Sequence, residues 1–231
     1  MTHAEFLEYI EHQHGKIAQA KPLGVKRYVQ NHVFDAAFGV DADITYTQTF
    51  HRDSITELFF DDMPALIQTF SNPYTQQTTG PDAKNFADLS KQAAQLMDDA
   101  EIFNAGAVPL KWKAMIFLKK NPALNLDTFF TAWDLAHDAI ARQYPHFQNA
   151  LRRHIRSRYL PEGDRVTSYF GENIAVYEGV SSMWFENEAD LFSFREYQRS
   201  LFQHLSDEGI ALSSESFLVY VKEVVILDLC Q

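Results

Sequence analysis

The sequence predicts an α+β protein made of two ferredoxin-like units in tandem, and three observations carry that prediction. The first is repetition. Phe6, Ile10 and His14, four residues apart, return as Phe129, Trp133 and His137 at an offset of 123 for the histidines. Val25–Gln30 is answered by Leu151–Arg156 at an offset of 126, and Ile55–Asp61 by Val180–Glu186 at 125. A period this long marks a duplicated domain, not a solenoid repeat. The second is the alternation of strand and helix patterns in each half, an order that suits an antiparallel sheet with both helices on one face. The third is size: 231 residues divide into units of about 1–108 and 109–231, each barely large enough for its own core, so the two are expected to share buried surface.

In the first unit, Phe6, Leu7, Ile10, Ile17 and Ala18 keep a helical period from residue 4 to about 20. Val25–Val33 alternates and is rich in β-branched and aromatic residues, which predicts a strand. A polar link leads to Asp53, followed by a strand at Ile55–Phe60. Asp62-Met63-Pro64 is a helix start, with an acidic cap and proline in the first turn, and that helix is expected to reach Phe70. After loop signals at Asn72-Pro73 and Gly80-Pro81, Phe86, Leu89, Ala93 and Leu96 share one face of a helix predicted from about Lys84 to Met97. Ile102-Phe103 reads as a short strand.

The second unit opens with a strand at Trp112–Leu118, ended by Lys119-Lys120-Asn121-Pro122. A helix is predicted from Asp127 to about Gln143, then strands at Leu151–Arg156 and Val180–Phe185. Asn187 with Asp190 resembles a capped helix start, continued by Leu191, Phe194 and Leu201. Phe217–Leu227 closes the chain as a β-prone strand. The first unit has no counterpart of Trp112–Leu118, because Met1 nearly abuts the first helix. Either its opening strand lies upstream or its sheet has an open edge.

Hydrophobic residues make up 46% and aromatics 14%, with 19 phenylalanines, which supplies a packed interior and argues against disorder. Acidic residues outnumber basic ones 31 to 20, for a formal charge of −11, so nucleic acid and anionic membrane surfaces are not expected partners. Arg152, Arg153, Arg156 and Arg158 read as a solvated basic strand end. One cysteine, Cys230, excludes an internal disulfide and fits a reducing compartment. With neither a signal-peptide pattern nor an apolar run of bilayer length, the expectation is a cytoplasmic protein.

The repeated blocks are similar to those of the EthD family. A helix with Phe-x3-Ile/Trp-x3-His precedes an Arg27-Tyr28-Val29-Gln30 strand and a Glu57–Asp61 strand; the second copy offers Arg153-His154-Ile155 and Met183–Glu186. The resemblance implies the dimeric α/β barrel superfamily, whose single units pair through their sheets. A tandem copy then implies an intramolecular version of that dimer, its two sheets packed face to face. Superfamily functions include cofactor-free monooxygenases, cyclases, decarboxylases and some haem enzymes, so fold alone does not choose a reaction.

His14 and His137 are the candidate catalytic bases, each on the helix face that meets the sheet. A structural histidine bonded to a backbone carbonyl is an equally good reading. Strand parity sends Glu57, Phe59, Ser182 and Trp184 to one face, expected to be the barrel interior, where Glu57 would assist as a second catalytic group. The plainer reading is a solvent-facing Glu57. Tyr28 and His154 occupy matched strand positions and join Phe59 and Trp184 as candidate substrate contacts, against a plain reading as sheet-edge residues. His12 and His14 diverge on their helix and cannot chelate one metal from it, so no metal ligands are assigned. Dinucleotide, Walker, nucleophile-elbow and paired-cysteine motifs are absent, no cofactor is assigned, and no attachment motif supports haem.

Two functions follow. One is a cofactor-independent enzyme, of oxidoreductase or proton-transfer type, on a small apolar or aromatic molecule, with unit one supplying the acid/base pair His14 and Glu57. The other is a non-catalytic small-molecule binder or structural barrel. Assembly into a homo-oligomer is compatible with both.

Overall fold

A computed structural model describes residues 1–38, 52–106, 110–171 and 174–230. The boundary expected near 108 and most of the link before Asp53 lie outside the described residues. The strands are β1 (Arg27–Phe38), β2 (Ser54–Phe59), β3 (Met97–Asn104), β4 (Trp112–Leu118), β5 (Leu151–Tyr159), β6 (Gly179–Phe185) and β7 (Phe217–Asp228). The helices are α1 (His3–Tyr9), α2 (Gly15–Ala20), α3 (Met63–Ser71), α4 (Gly80–Asp82), α5 (Leu126–Ala141), α6 (Pro145–Ala150), α7 (Asp164–Thr167) and α8 (Phe194–Asp207). A π-helical turn, Ile10–His14, joins α1 to α2. Thr2 and Glu5 form a reciprocal capping box at the start of α1, and Asp62 and Asn125 cap α3 and α5.

All seven strands form one antiparallel sheet in the order β2-β1-β7-β4-β6-β5-β3. Strands of the second half stand together at its centre, and strands of the first half flank them on both sides. This corrects the expected face-to-face packing of two sheets. The halves join edge to edge, through the β1–β7 and β3–β5 ladders, because hydrogen-bonding edge strands to each other satisfies backbone groups that stacked sheets would leave open. The sheet is curled. Lys113 on β4 and Glu57 on β2 are three strands apart, about 14 Å across a flat sheet, yet their side chains touch at 2.7 Å. No ladder joins β2 to β3 among the described residues, so the curl is an open barrel.

Strand alternation separates two cores. On the convex face, Ala114, Ile116 and Leu118 of β4 and Met183 and Phe185 of β6 pack against Phe129, Trp133 and Ile140 of α5 and Tyr197, Leu201 and Leu205 of α8. Gly179 lets the Trp133 ring approach the sheet, since a Cβ there would meet it at 2.9 Å. On the concave face, Met115, Phe117, Val180, Phe217, Val219 and Val221 fill one end of the barrel, with the Phe117 and Phe217 rings stacked 4.7 Å apart.

The helix predicted over 84–97 does not form. Its apolar residues go to separate places: Phe86 packs on Phe6, Tyr9 and His14, Ala93 bridges Ala175, and Leu96 covers Gly163. Gln95 exchanges two hydrogen bonds with the Tyr177 backbone, and an Asp88–Ser90 turn interrupts the run. Tertiary contacts override a helical pattern here. The strand expected at Ile102-Phe103 is instead the eight-residue β3. The four arginines near β5 are not a solvated patch either, since they pair with Glu186, Glu101, Asp134 and Asp138.

Candidate functional site

Polar side chains converge on the concave face at the end of the barrel opposite the Phe117–Phe217 stack. The register aligns Lys113, Trp184 and Arg153 as one row across β4, β6 and β5. The Lys113 ammonium lies 4.3 Å from the Trp184 ring centre and the Arg153 guanidinium 5.0 Å from it, so the indole carries a cation on each neighbouring strand. Lys113 is wholly buried and has two carboxylate partners, Glu57 at 2.7 Å and Glu223 at 3.6 Å. Asn31 Nδ2 donates to Glu57 Oε2 at 2.8 Å, and Trp184 Nε1 donates to Glu223 Oε2 at 2.9 Å. Arg27 closes the set against Glu223 at 3.0 Å, with its guanidinium 5.5 Å from the Phe59 ring.

The electrostatics separate two carboxyls. Burial pushes Glu57 up, but Lys113, Asn31 and Arg27 outweigh it and hold the carboxyl below its usual range. Asp99 of β3, opposite Ser157 in the ladder, shifts the other way. Surrounding protein raises it, the Ser157 hydroxyl opposes, and the Glu57 charge raises it again. A cleft of about 790 Å³ opens at this end, lined in part by Arg27, Arg153, Trp184, Glu223, Lys111 and Lys222. Asp99 is exposed and lies outside the cleft lining, but within electrostatic reach of Glu57 and Lys113; two such carboxyls with affinities pushed apart can play different proton roles.

The structure therefore brings Glu57, Phe59 and Trp184 together on the concave face. It places His14, His137, Tyr28 and His154 on the helix side. His14 does not meet Glu57; its Nδ1 lies 2.8 Å from Asp82 Oδ2, and Asp82 also accepts from Tyr9 at 2.8 Å and Asn85 at 2.9 Å. Tyr28 is buried under the first helix, accepts from Gln30 Nε2 at 2.8 Å, and is pushed up to about 12 by burial, so it stays a neutral phenol. His137 and His154 stack at 4.5 Å inside the second helix–sheet core. His154 Nε2 lies 2.8 Å from Ser181 Oγ, while neither ring nitrogen of His137 has a hydrogen-bond partner among the described residues. Burial takes His137 down to about 3 and His154 well below its usual range.

Lys113, Glu223, Asn31 and Asp99 were not singled out by the sequence. Lys113 carried a readable signal: a charge inside an otherwise apolar run, Trp112–Leu118, at an alternate position of a central strand. Asp99 and Glu223 carried none, because their approach to the site comes from curling.

A curled antiparallel sheet with helices on its convex face and a polar pocket on its concave face defines a protein of the dimeric α/β barrel type. The EthD domain profile matches residues 1–90 of the chain. No curated protein matches it. Among solved structures, a crystal structure of an anthrone oxidase-like protein is similar with a TM-score of 0.57 at 11% identity, over 98% of this chain and 88% of that one. A "putative monooxygenase" from Lactobacillus acidophilus NCFM aligns with a TM-score of 0.46 at 10% identity, over 98% of this chain and 89% of that one. At such identity, the first likeness shows a shared fold.

Proposed function

We propose that the chain is a small-molecule enzyme of oxidoreductase or proton-transfer type, working at the polar end of the barrel. One observation carries this reading: a fully buried Lys113 held between two carboxylates beside an open cleft. A buried ammonium is costly unless the site uses or pairs it, and perturbed groups in a cleft mark reaction centres. In this reading Asp99 accepts a proton from the bound organic molecule, Lys113 stabilises the anion that develops, and Glu57 holds Lys113 in place. Phe59 and Trp184 supply apolar contact for an aromatic or apolar substrate. The naming of a structural neighbour as anthrone oxidase-like supports oxidation of a small organic molecule. The tandem organisation, about 1–108 and 109–231, is supported by the placement of Tyr28 and His154, and of Glu57 and Trp184, on like faces of the sheet.

The His14–Asp82 contact favours a second reading, in which the general base is His14 with its ring oriented by Asp82. Turnover of a panel of small aromatic and enolisable compounds, measured on Asp99→Asn, Lys113→Met and His14→Ala at matched folded fraction, separates the two. Asp99→Asn is expected to lose ~10²–10⁴-fold in rate, with His14→Ala little changed. The opposite ranking transfers the role to His14. Retained ligand binding with no turnover of any compound assigns the barrel to binding alone, as its Phe-filled end would also allow.

A further inference from the structure

The charges that line the cleft run against those of the whole molecule. The chain has 31 acidic and 20 basic residues, yet the cleft wall carries four cations, Arg27, Lys111, Arg153 and Lys222, and two acids, Glu11 and Glu223. Pairing sharpens the contrast. Arg27 is matched by Glu223 at 3.0 Å and Asp228 at 3.5 Å. Lys111 and Lys222 have no carboxylate within 4.0 Å among the described residues. Arg153 meets Glu101 through Nε alone, at 2.8 Å, so its two terminal nitrogens keep their donors beside the Trp184 ring. Glu11 stands 4.0 Å from His32, the ladder neighbour of Lys222, so the Lys222 corner of the cleft carries an acid of its own.

We infer that the ligand of this cleft is an organic anion: an aromatic molecule bearing a carboxylate, its oxygens received by the Arg153 fork and the Lys111 ammonium group. The inference rests on the reading of the cleft as the ligand site and narrows it from small aromatic molecules to charged ones. The guanidinium offers the parallel donors that suit a carboxylate, and its stacked position on Trp184 fixes their direction. Glu223 does not compete for these groups, since it is engaged by Arg27, Lys113 and Trp184. An excess of unpaired cations on an acidic molecule also steers anions to this opening and away from the rest of the surface.

The test compares 2-naphthoate with 2-naphthamide, of nearly the same shape but different charge, by titration calorimetry and tryptophan fluorescence on the full chain at pH 7.5. The naphthoate is expected to bind at least about tenfold more tightly at low salt, with the preference shrinking as ionic strength rises. Arg153→Met is expected to remove most of that preference while leaving naphthamide binding in place. The variant Lys111→Met, at an exposed position, is expected to reduce it too. Equal or tighter binding of the amide, or a preference untouched by both variants, overturns the inference and leaves the cleft a neutral-ligand site. Failure of both probes to bind at millimolar concentration overturns the inference together with the reading of the cleft.

Discussion

Lys113 Nζ sits 2.7 Å from Glu57 Oε2, although 56 residues and two intervening strands, β1 and β7, separate them. The contact ties the first half of the chain to the central strand of the sheet and exists only because the sheet curls. Lys113 has no exposed side-chain surface and Glu57 keeps 24% of its own, and Lys113 reaches the cleft wall through Trp184 and Glu223.

The pair is expected to be strongly coupled in stability. Lys113→Met leaves Glu57 and Glu223 facing each other without a cation, and Glu57→Gln leaves Lys113 with the more distant partner. Each is expected to cost about 2–4 kcal/mol, with Glu57→Gln at the low end because of its partial exposure. The double variant is expected to cost less than the two together by about 1–3 kcal/mol. Urea unfolding of all four proteins measures this, and simple additivity would show that the contact contributes no coupling.

Acid sensitivity is expected from the helix-side core. The folded-state affinities of His137 and His154 for protons are depressed, that of His137 to about 3 from an unfolded value near 6.5. The unfolded chain therefore binds more protons between these values. The stability contribution is fully present above pH 6.5 and drains away as pH falls toward 3, at up to about 1 kcal/mol per histidine per pH unit. His137→Gln is expected to flatten the fall in urea midpoint between pH 7 and 5. An unchanged slope would mean that His137 titrates in the folded protein.

Gly179→Ala places a methyl group 2.9 Å from the Trp133 ring, which is fully buried and stacked on Phe129. With no room to retreat, the ring is expected to make this small substitution cost about 1–3 kcal/mol. Thermal unfolding checks it, and Trp133→Phe in the same background is expected to recover part of the loss.

Much of this protein was settled by local chemistry. Alternation along Val180–Phe185 already divided Met183 and Phe185 from Ser182 and Trp184, and the structure keeps that division, with the first pair in the helix-side core. Capping residues fixed where α3 and α5 begin. The first of the repeated Phe-x3-x-x3-His blocks lies within residues 1–90, the stretch that the EthD domain profile matches. What failed locally was the stretch 84–97, whose helical spacing gave way to separate tertiary partners for Phe86, Gln95 and Leu96. The edge-to-edge joining of the halves was also out of reach, because strand pairing over long separations depends on which edges remain free once both halves have folded. The candidate site follows from that joining. Parity could say that Glu57 and Trp184 share a face, but only closure of β1 on β7 and β3 on β5 sets Lys113 between Glu57 and Glu223 and brings Asp99 within electrostatic reach of both Glu57 and Lys113. A side chain's face is decided by its own strand, whereas its partners across a barrel are decided by curvature and register summed over every strand between them.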